Sequence, residues 1–157
     1  MSIPLPTPRA WKVNDASRPE LVATEPSTRS TLTVLSELEP NLVNHQLCEE
    51  RAKTLGLFAE ASLQPVEDAV VAAPNEYDTR VIVAIERHTG EGKPLVGHLF
   101  AFGGHVRKCL VFHLATAVPS EDDEKALSQR LALARLWMFG GLKVTEIGTV
   151  PRGRNPP

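Results

Sequence analysis

Three apolar runs, Thr79–His88, Pro94–Phe102 and His105–Ala115, follow one another with only turn residues between them. β-Branched and aromatic side chains dominate each run. Short connections favour antiparallel pairing, since parallel neighbours need a long crossover. Three consecutive antiparallel strands are therefore expected. Gly103-Gly104 reads as the turn of the second hairpin, because both central positions of a primed turn need positive φ. Thr89-Gly90-Glu91-Gly92 reads as a looser turn before it.

A Gly-Gly turn sets a register. It places Phe102 opposite His105, Phe100 opposite Arg107, His98 opposite Cys109 and Val96 opposite Val111, all on one side of the sheet. The other side carries Leu95, Leu99, Ala101, Val106, Leu110, Phe112 and Leu114, with Lys108 as its charge. That second side is the better core, and the helices are expected to cover it. The first side mixes aromatic, basic and imidazole groups and is the expected binding surface. The earlier turn leaves two registers open. Pairing His88 with Lys93 brings Val81, Val83 and Ile85 to the Phe100 side; a one-residue slip brings Ile82 and Ala84 there instead.

Outside this meander, Leu21–Thr24 and Ser30–Leu35 form a hairpin around Glu25-Pro26-Ser27-Thr28. Leu32 and Val34 face one way, and Thr31, Thr33 and Leu35 the other. Ile3–Leu5 is expected as an edge strand and Trp11–Val13 as a short extended piece, with Asn14–Ser17 as loop. A helix is expected over Asn44–Leu55, with Cys48, Ala52, Leu55 and Ala59 inward, Leu47 beside them and Gly56 as its C-terminal cap. Leu63–Val71 is the next strand, and Pro74-Asn75-Glu76 turns into the meander. Ser120 is the expected N-cap of a second helix, whose first turn carries Glu121, Asp122, Asp123 and Glu124 against the helix dipole. That helix runs to about Met138 with an inward stripe of Leu127, Leu131, Ala134 and Met138, widened by Ala126, Leu133 and Trp137. Gly140-Gly141 stops it.

The order strands, helix, four strands, helix indicates α+β: a twisted antiparallel sheet with two helices packed on one face. One domain over residues 1–147 with a disordered tail over 148–157 suits a chain of 157 residues. A formal net charge of -2 excludes a dedicated nucleic-acid binder, which needs a basic face. Cys48 and Cys109 are too few for a disulfide framework and read as reduced core thiols. The first 30 residues hold no apolar run after a basic start, and Leu131–Phe139 is too short to span a bilayer. A cytoplasmic protein without membrane insertion is expected.

The opening Ile3-Pro4-Leu5-Pro6 with Trp11-Lys12-Val13, the helix introduced by Glu37-Leu38-Glu39-Pro40, the hairpin strands and the closing amphipathic helix resemble the PsbP-like superfamily. Within it, the layout is nearest to the DcrB-like branch and its Eag-type chaperones of type VI secretion effectors. The resemblance spans roughly Ser2 to Val144. It implies a binding protein, not an enzyme.

No phosphate loop, Gly-x-Ser-x-Gly or His-Glu-x-x-His is present. Zinc needs three or four ligands, and His98, Cys109 and His113 do not converge, so neither metal nor cofactor is expected. His45 and His88 read as solvated. The function expected is non-catalytic: a cytosolic chaperone or adaptor that shields an apolar segment of a secreted effector, docked on the Phe100–Phe102 side or along an edge strand. Phe100, Phe102, His98, Arg107 and His105 are the expected contact residues, with another protein as partner. An exposed apolar face of this kind also favours a homodimer. Two alternatives stand beside it: an immunity protein that neutralises a toxin, and an enzyme using a Cys109/His98 pair.

Overall fold

The structure is a computed structural model that describes residues 1–14, 19–60, 63–73, 76–87 and 92–144. The strands are β1 (Lys12–Val13), β2 (Leu21–Glu25), β3 (Ser30–Leu38), β4 (Gln64–Ala73), β5 (Tyr77–Arg87), β6 (Leu95–His105) and β7 (Lys108–Val118). Helix α1 (His45–Thr54) lies between β3 and β4. Helix α2 (Glu124–Leu133) follows β7 and continues as a π-helical segment, Ala134–Phe139. All seven strands make one antiparallel sheet in the order β1-β2-β3-β7-β6-β5-β4. The α+β class and the expected element order are present. The loop at 15–17, the turns at 74–75 and 88–91, and the tail from 145 onward fall outside the described residues.

The two helices lie on opposite faces of the sheet, not on one. α2 and the π-helical segment bury Leu127, Leu131, Ala134 and Met138 against Leu99, Ala101, Leu110, Phe112 and Leu114. α1 sits on the other face, where Ala52 and Phe58 pack with Leu35, Ile82, Phe100, Phe102 and Val111. The cause is covalent as well as apolar. Cys48 of α1 and Cys109 of β7 form a disulfide, correcting the expectation of reduced thiols. Cys109 alternates onto the Phe100 face, so its partner helix must lie there.

The Gly103-Gly104 pair is not a turn. Both residues lie inside β6, opposite Leu110 and Cys109, and the hairpin reverses at Val106-Arg107. Glycine is required at 104 for a different reason. A Cβ there would stand 2.5 Å from the Asn44 carbonyl carbon, so the start of α1 could not reach the sheet. The true register sets Phe102 opposite Val111, Phe100 opposite His113 and His98 opposite Ala115. The shift from the expected register is six positions along β7. Six is even, so Leu95–Phe102 and Lys108–Ala115 keep their expected faces while their neighbours change; His105, which belongs to β6 and pairs with Lys108, moves to the Leu99 face. At the β5–β6 turn the slipped register holds: Ile82 pairs with Phe100 and Ala84 with His98.

Local chemistry explains the helix ends. The Asn44 side chain accepts from the Leu47 amide at 3.0 Å, capping α1. Gly56 follows at φ 71, as a C-terminal cap requires. α1 is narrower inside than expected. Cys48 and Ala52 are buried, but Leu47 and Leu55 are exposed. Glu49 is buried instead, held by Arg80 at 2.7 Å and Lys53 at 3.1 Å. Ser120 caps no backbone amide; a 3-10 turn over Glu121–Asp123 intervenes before α2 starts. Ile3–Leu5 is not a strand. Only Ser2 pairs there, as an isolated bridge to Lys143.

Candidate functional site

The five residues expected to form a binding surface split in two: His98, Phe100 and Phe102 stack in one row, with neighbouring centroids 5.6 and 6.0 Å apart, while His105 and Arg107 lie elsewhere. Phe100 is 3% exposed and Phe102 0%. The Phe58 ring lies 4.9 Å from Phe100 and 4.8 Å from Phe102, and it closes that face. They are core residues and cannot meet a partner without α1 and Phe58 moving away. Arg107 and His105 lie at the hairpin tip instead. Arg107 Nε donates to the Glu39 carbonyl at 2.9 Å, and His105 lies against Tyr77.

His98 stands at the end of the Phe100–Phe102 row and has polar partners of its own. Its Nε2 lies 3.1 Å from Glu86 Oε2 and its Nδ1 3.0 Å from His113 Nε2. One arrangement satisfies both contacts with neutral rings: His98 Nε2–H donates to Glu86, and His113 Nε2–H donates to His98 Nδ1. Burial pushes the His98 pKa down, against the pull of Glu86. Burial, with the neighbouring His98, holds His113 down to about 3. His113 also stacks on Phe100, with centroids 4.1 Å apart.

The Cys109/His98 pairing is corrected on two counts. Cys109 is in the disulfide, and it lies opposite Gly104, six residues along β6 from His98, about 20 Å away at the rise of a strand. Among the described residues no three His, Cys, Asp or Glu side chains converge as metal ligands.

A concave surface lies on the opposite face of the sheet, beside α2. Leu133 and Trp137, expected inward, are 63% and 57% exposed, and Leu136 between them is 74% exposed. The reason is angular. Leu133 is two residues from buried Leu131, so it points to the other side of the helix. Ala126, also expected inward, is exposed as well. The continuation of α2 as a π-helical segment, a feature frequent at functional sites, carries Leu136 and Trp137.

Leu133 and Trp137 form one wall of a groove of about 530 Å³. Pro6, Ala10 and Trp11 form the other, and Leu114, Ala134 and Met138 line it as well. The N-terminal wall is fixed locally. Trp11 Nε1 donates to the Pro6 carbonyl at 2.9 Å, and Pro8–Ala10 make a 3-10 turn. The groove is apolar along most of its length and polar at one end, where Glu25, Ser27, Thr28, Ser30 and Arg130 meet.

That polar end is built from the β2–β3 turn. The Glu25 carboxylate accepts from the Ser27 amide at 3.0 Å, the Ser27 hydroxyl at 2.7 Å and the Thr28 amide at 2.8 Å, and from the Thr28 hydroxyl. The Thr28 and Ser27 hydroxyls hold its pKa down to about 2, so it stays ionised. Arg130 Nη1 donates to Thr116 Oγ1 at 2.8 Å, the Ala117 carbonyl at 3.0 Å and the Thr28 carbonyl at 3.3 Å. The signal for this groove was present in the sequence as Leu133 and Trp137, but helical spacing alone assigned both to the core.

No protein-family model matches the chain, and no curated protein matches it. Its structure is similar to the solution structure of cyanobacterial PsbP (CyanoP) from Synechocystis sp. PCC 6803, at 13% identity and TM-score 0.49, over 82% of this chain and 80% of that one. It is also similar to LpqN, described as involved in cell envelope biogenesis of Mycobacterium tuberculosis, at 13% identity and TM-score 0.50, over 92% of this chain and 83% of that one. At that identity the likeness to LpqN bears on the fold alone. The α+β class with a single antiparallel sheet, expected from the sequence, is present, with its helices on opposite faces.

Proposed function

We propose that this chain is a non-catalytic binding module that holds an apolar segment of another protein in the groove between Trp11 and Trp137. The carrying observation is the exposure of Leu133 and Trp137 on that groove. Large contiguous apolar surface on a folded domain marks an interaction site, and Trp anchors are enriched at such sites. The chaperone or adaptor role suggested by the Eag-type resemblance is thereby moved from the sheet face to the α2 side. The same apolar ridge is where self-association into a homodimer would occur.

Working location follows from Cys48–Cys109. Stable disulfides belong to oxidising compartments, so the place of action we propose is outside the reducing cytosol. No helix among the described residues is long and apolar enough to cross a membrane.

The test is site-specific photo-crosslinking in the native host. A photoreactive residue at Trp137 should capture a discrete protein. The same residue at Leu47, exposed on α1 across the sheet, should not. Equal capture at both positions, or capture only at Leu47, would overturn the assignment.

A further inference from the structure

The groove has a direction, set by the arginine at its polar end. Arg130, Leu133, Ala134 and Trp137 follow one another at i, i+3, i+4 and i+7, so they share one helix face along the groove. Arg130 stands at one end of this stripe and Trp137 at the other, about 10 Å apart by helical rise. Glu25 is nearby and ionised, and its carboxylate accepts from Ser27 and Thr28, not from Arg130. All three groups that Arg130 contacts are neutral oxygens. Among the described residues, no carboxylate lies within ion-pair distance of it, although Arg51, Arg80, Arg87 and Arg135 each have one.

A half-buried guanidinium at the polar end of an apolar groove is complementary to an anion carried on an apolar body. The guanidinium fork suits a carboxylate, which it grips through two parallel N–H donors. An extended chain covers about 10 Å with three residues.

We infer that the groove reads the free C-terminus of its partner, with the terminal α-carboxylate on Arg130 and about three apolar residues laid toward Trp137. This inference rests on the groove being the protein-contact surface proposed above. It adds that the recognised segment is a chain end, not an internal stretch.

The experiment uses the full chain and two fluorescein-labelled hexapeptides, Gly-Ser-Gly-Leu-Val-Leu with a free carboxylate and its C-terminal amide. Fluorescence anisotropy should show the free acid binding more tightly by about tenfold or more, the scale of a charge-assisted hydrogen-bonded pair. Arg130→Gln should remove the preference, and Arg130→Lys should restore part of it. The acid-versus-amide comparison needs no variant, so it decides the matter even if Arg130→Gln does not fold. Equal binding of acid and amide would overturn the chain-end inference and leave the groove assignment standing. Failure of both peptides, with binding of dodecanoate in their place, would overturn both and mark the groove as a site for free acyl carboxylates. Failure of all three probes would also overturn both.

Discussion

Cys48 of α1 is bonded to Cys109 of β7 across 61 residues of sequence, on the sheet face that carries Phe100 and Phe102. That bond closes a loop containing α1, β4, β5 and β6. It ties the outer helix to a central strand and keeps Phe58 over the two phenylalanines. The face that sequence reasoning left open for a guest is thus locked shut.

Removing the bond should therefore destabilise the protein. Restricting a loop of this length in the unfolded chain contributes up to about 4 kcal/mol. The double variant Cys48→Ala/Cys109→Ala should lose roughly 2–4 kcal/mol in urea unfolding, and reductant should lower the midpoint of the natural chain but not of the variant. Unchanged midpoints in both comparisons would mean that the bond does not form.

Stability should fall with acid in two steps. His98 and His113 have folded pKa values pushed below the ordinary value of 6.5, so the folded state binds fewer protons than the unfolded one. Their contribution is complete above about pH 6.5 and is lost as pH falls from there toward about 3. The slope is at most about 1.4 kcal/mol per pH unit for each proton involved. Glu25, held down to about 2, and Glu49, Asp68 and Asp78, also lowered, act in the same direction. Their contribution is present above the unfolded carboxylate value and is lost below it. His113→Gln should flatten the curve between pH 7 and 5 while leaving the lower step. Urea midpoints across that range check this.

The hairpin tip offers a gain. Val106 adopts φ 53, a left-handed conformation that a β-branched residue rarely occupies. Val106 is also 59% exposed. Val106→Asn should raise stability by up to about 1 kcal/mol by thermal unfolding. Gly104→Ala should do the reverse and cost about 1–3 kcal/mol, because its Cβ meets the Asn44 backbone. If the turn were at Gly103-Gly104, Val106 would sit in an extended strand and Val106→Asn would lower stability; Gly104→Ala costs stability in either register.

Much of this was legible before any coordinates. The strand sequence, the α+β class and the buried stripe of α2 follow from alternation and helical spacing, which are local. The faces of β6 and β7 were also right except at His105, because period 2 survives an even register error but His105 belongs to β6 and not to β7. What failed depends on distant contacts. Gly104 looks like a turn residue unless the approach of Asn44 is known. Two cysteines 61 positions apart carry no local mark of pairing. Leu133 and Trp137 are apolar whether they face a core or a groove, and only the position of the N-terminal segment distinguishes the two. Of the expected contact residues, Phe100, Phe102 and His98 were read as surface because the placement of α1 was not encoded in their own strand.

The most direct test of the account contrasts two sets of substitutions in one partner-capture assay. Phe102→Ala should cost about 3–5 kcal/mol of stability, as a truncated core aromatic does, yet retain partner binding wherever the protein remains folded. Leu133→Asp with Trp137→Asp should change the unfolding free energy by no more than about 0.5 kcal/mol each, as exposed positions do, and abolish capture of the partner. Retention of the partner by the folded Leu133→Asp/Trp137→Asp variant, with loss in folded Phe102→Ala, would contradict the account and return the contact surface to the sheet face beneath α1.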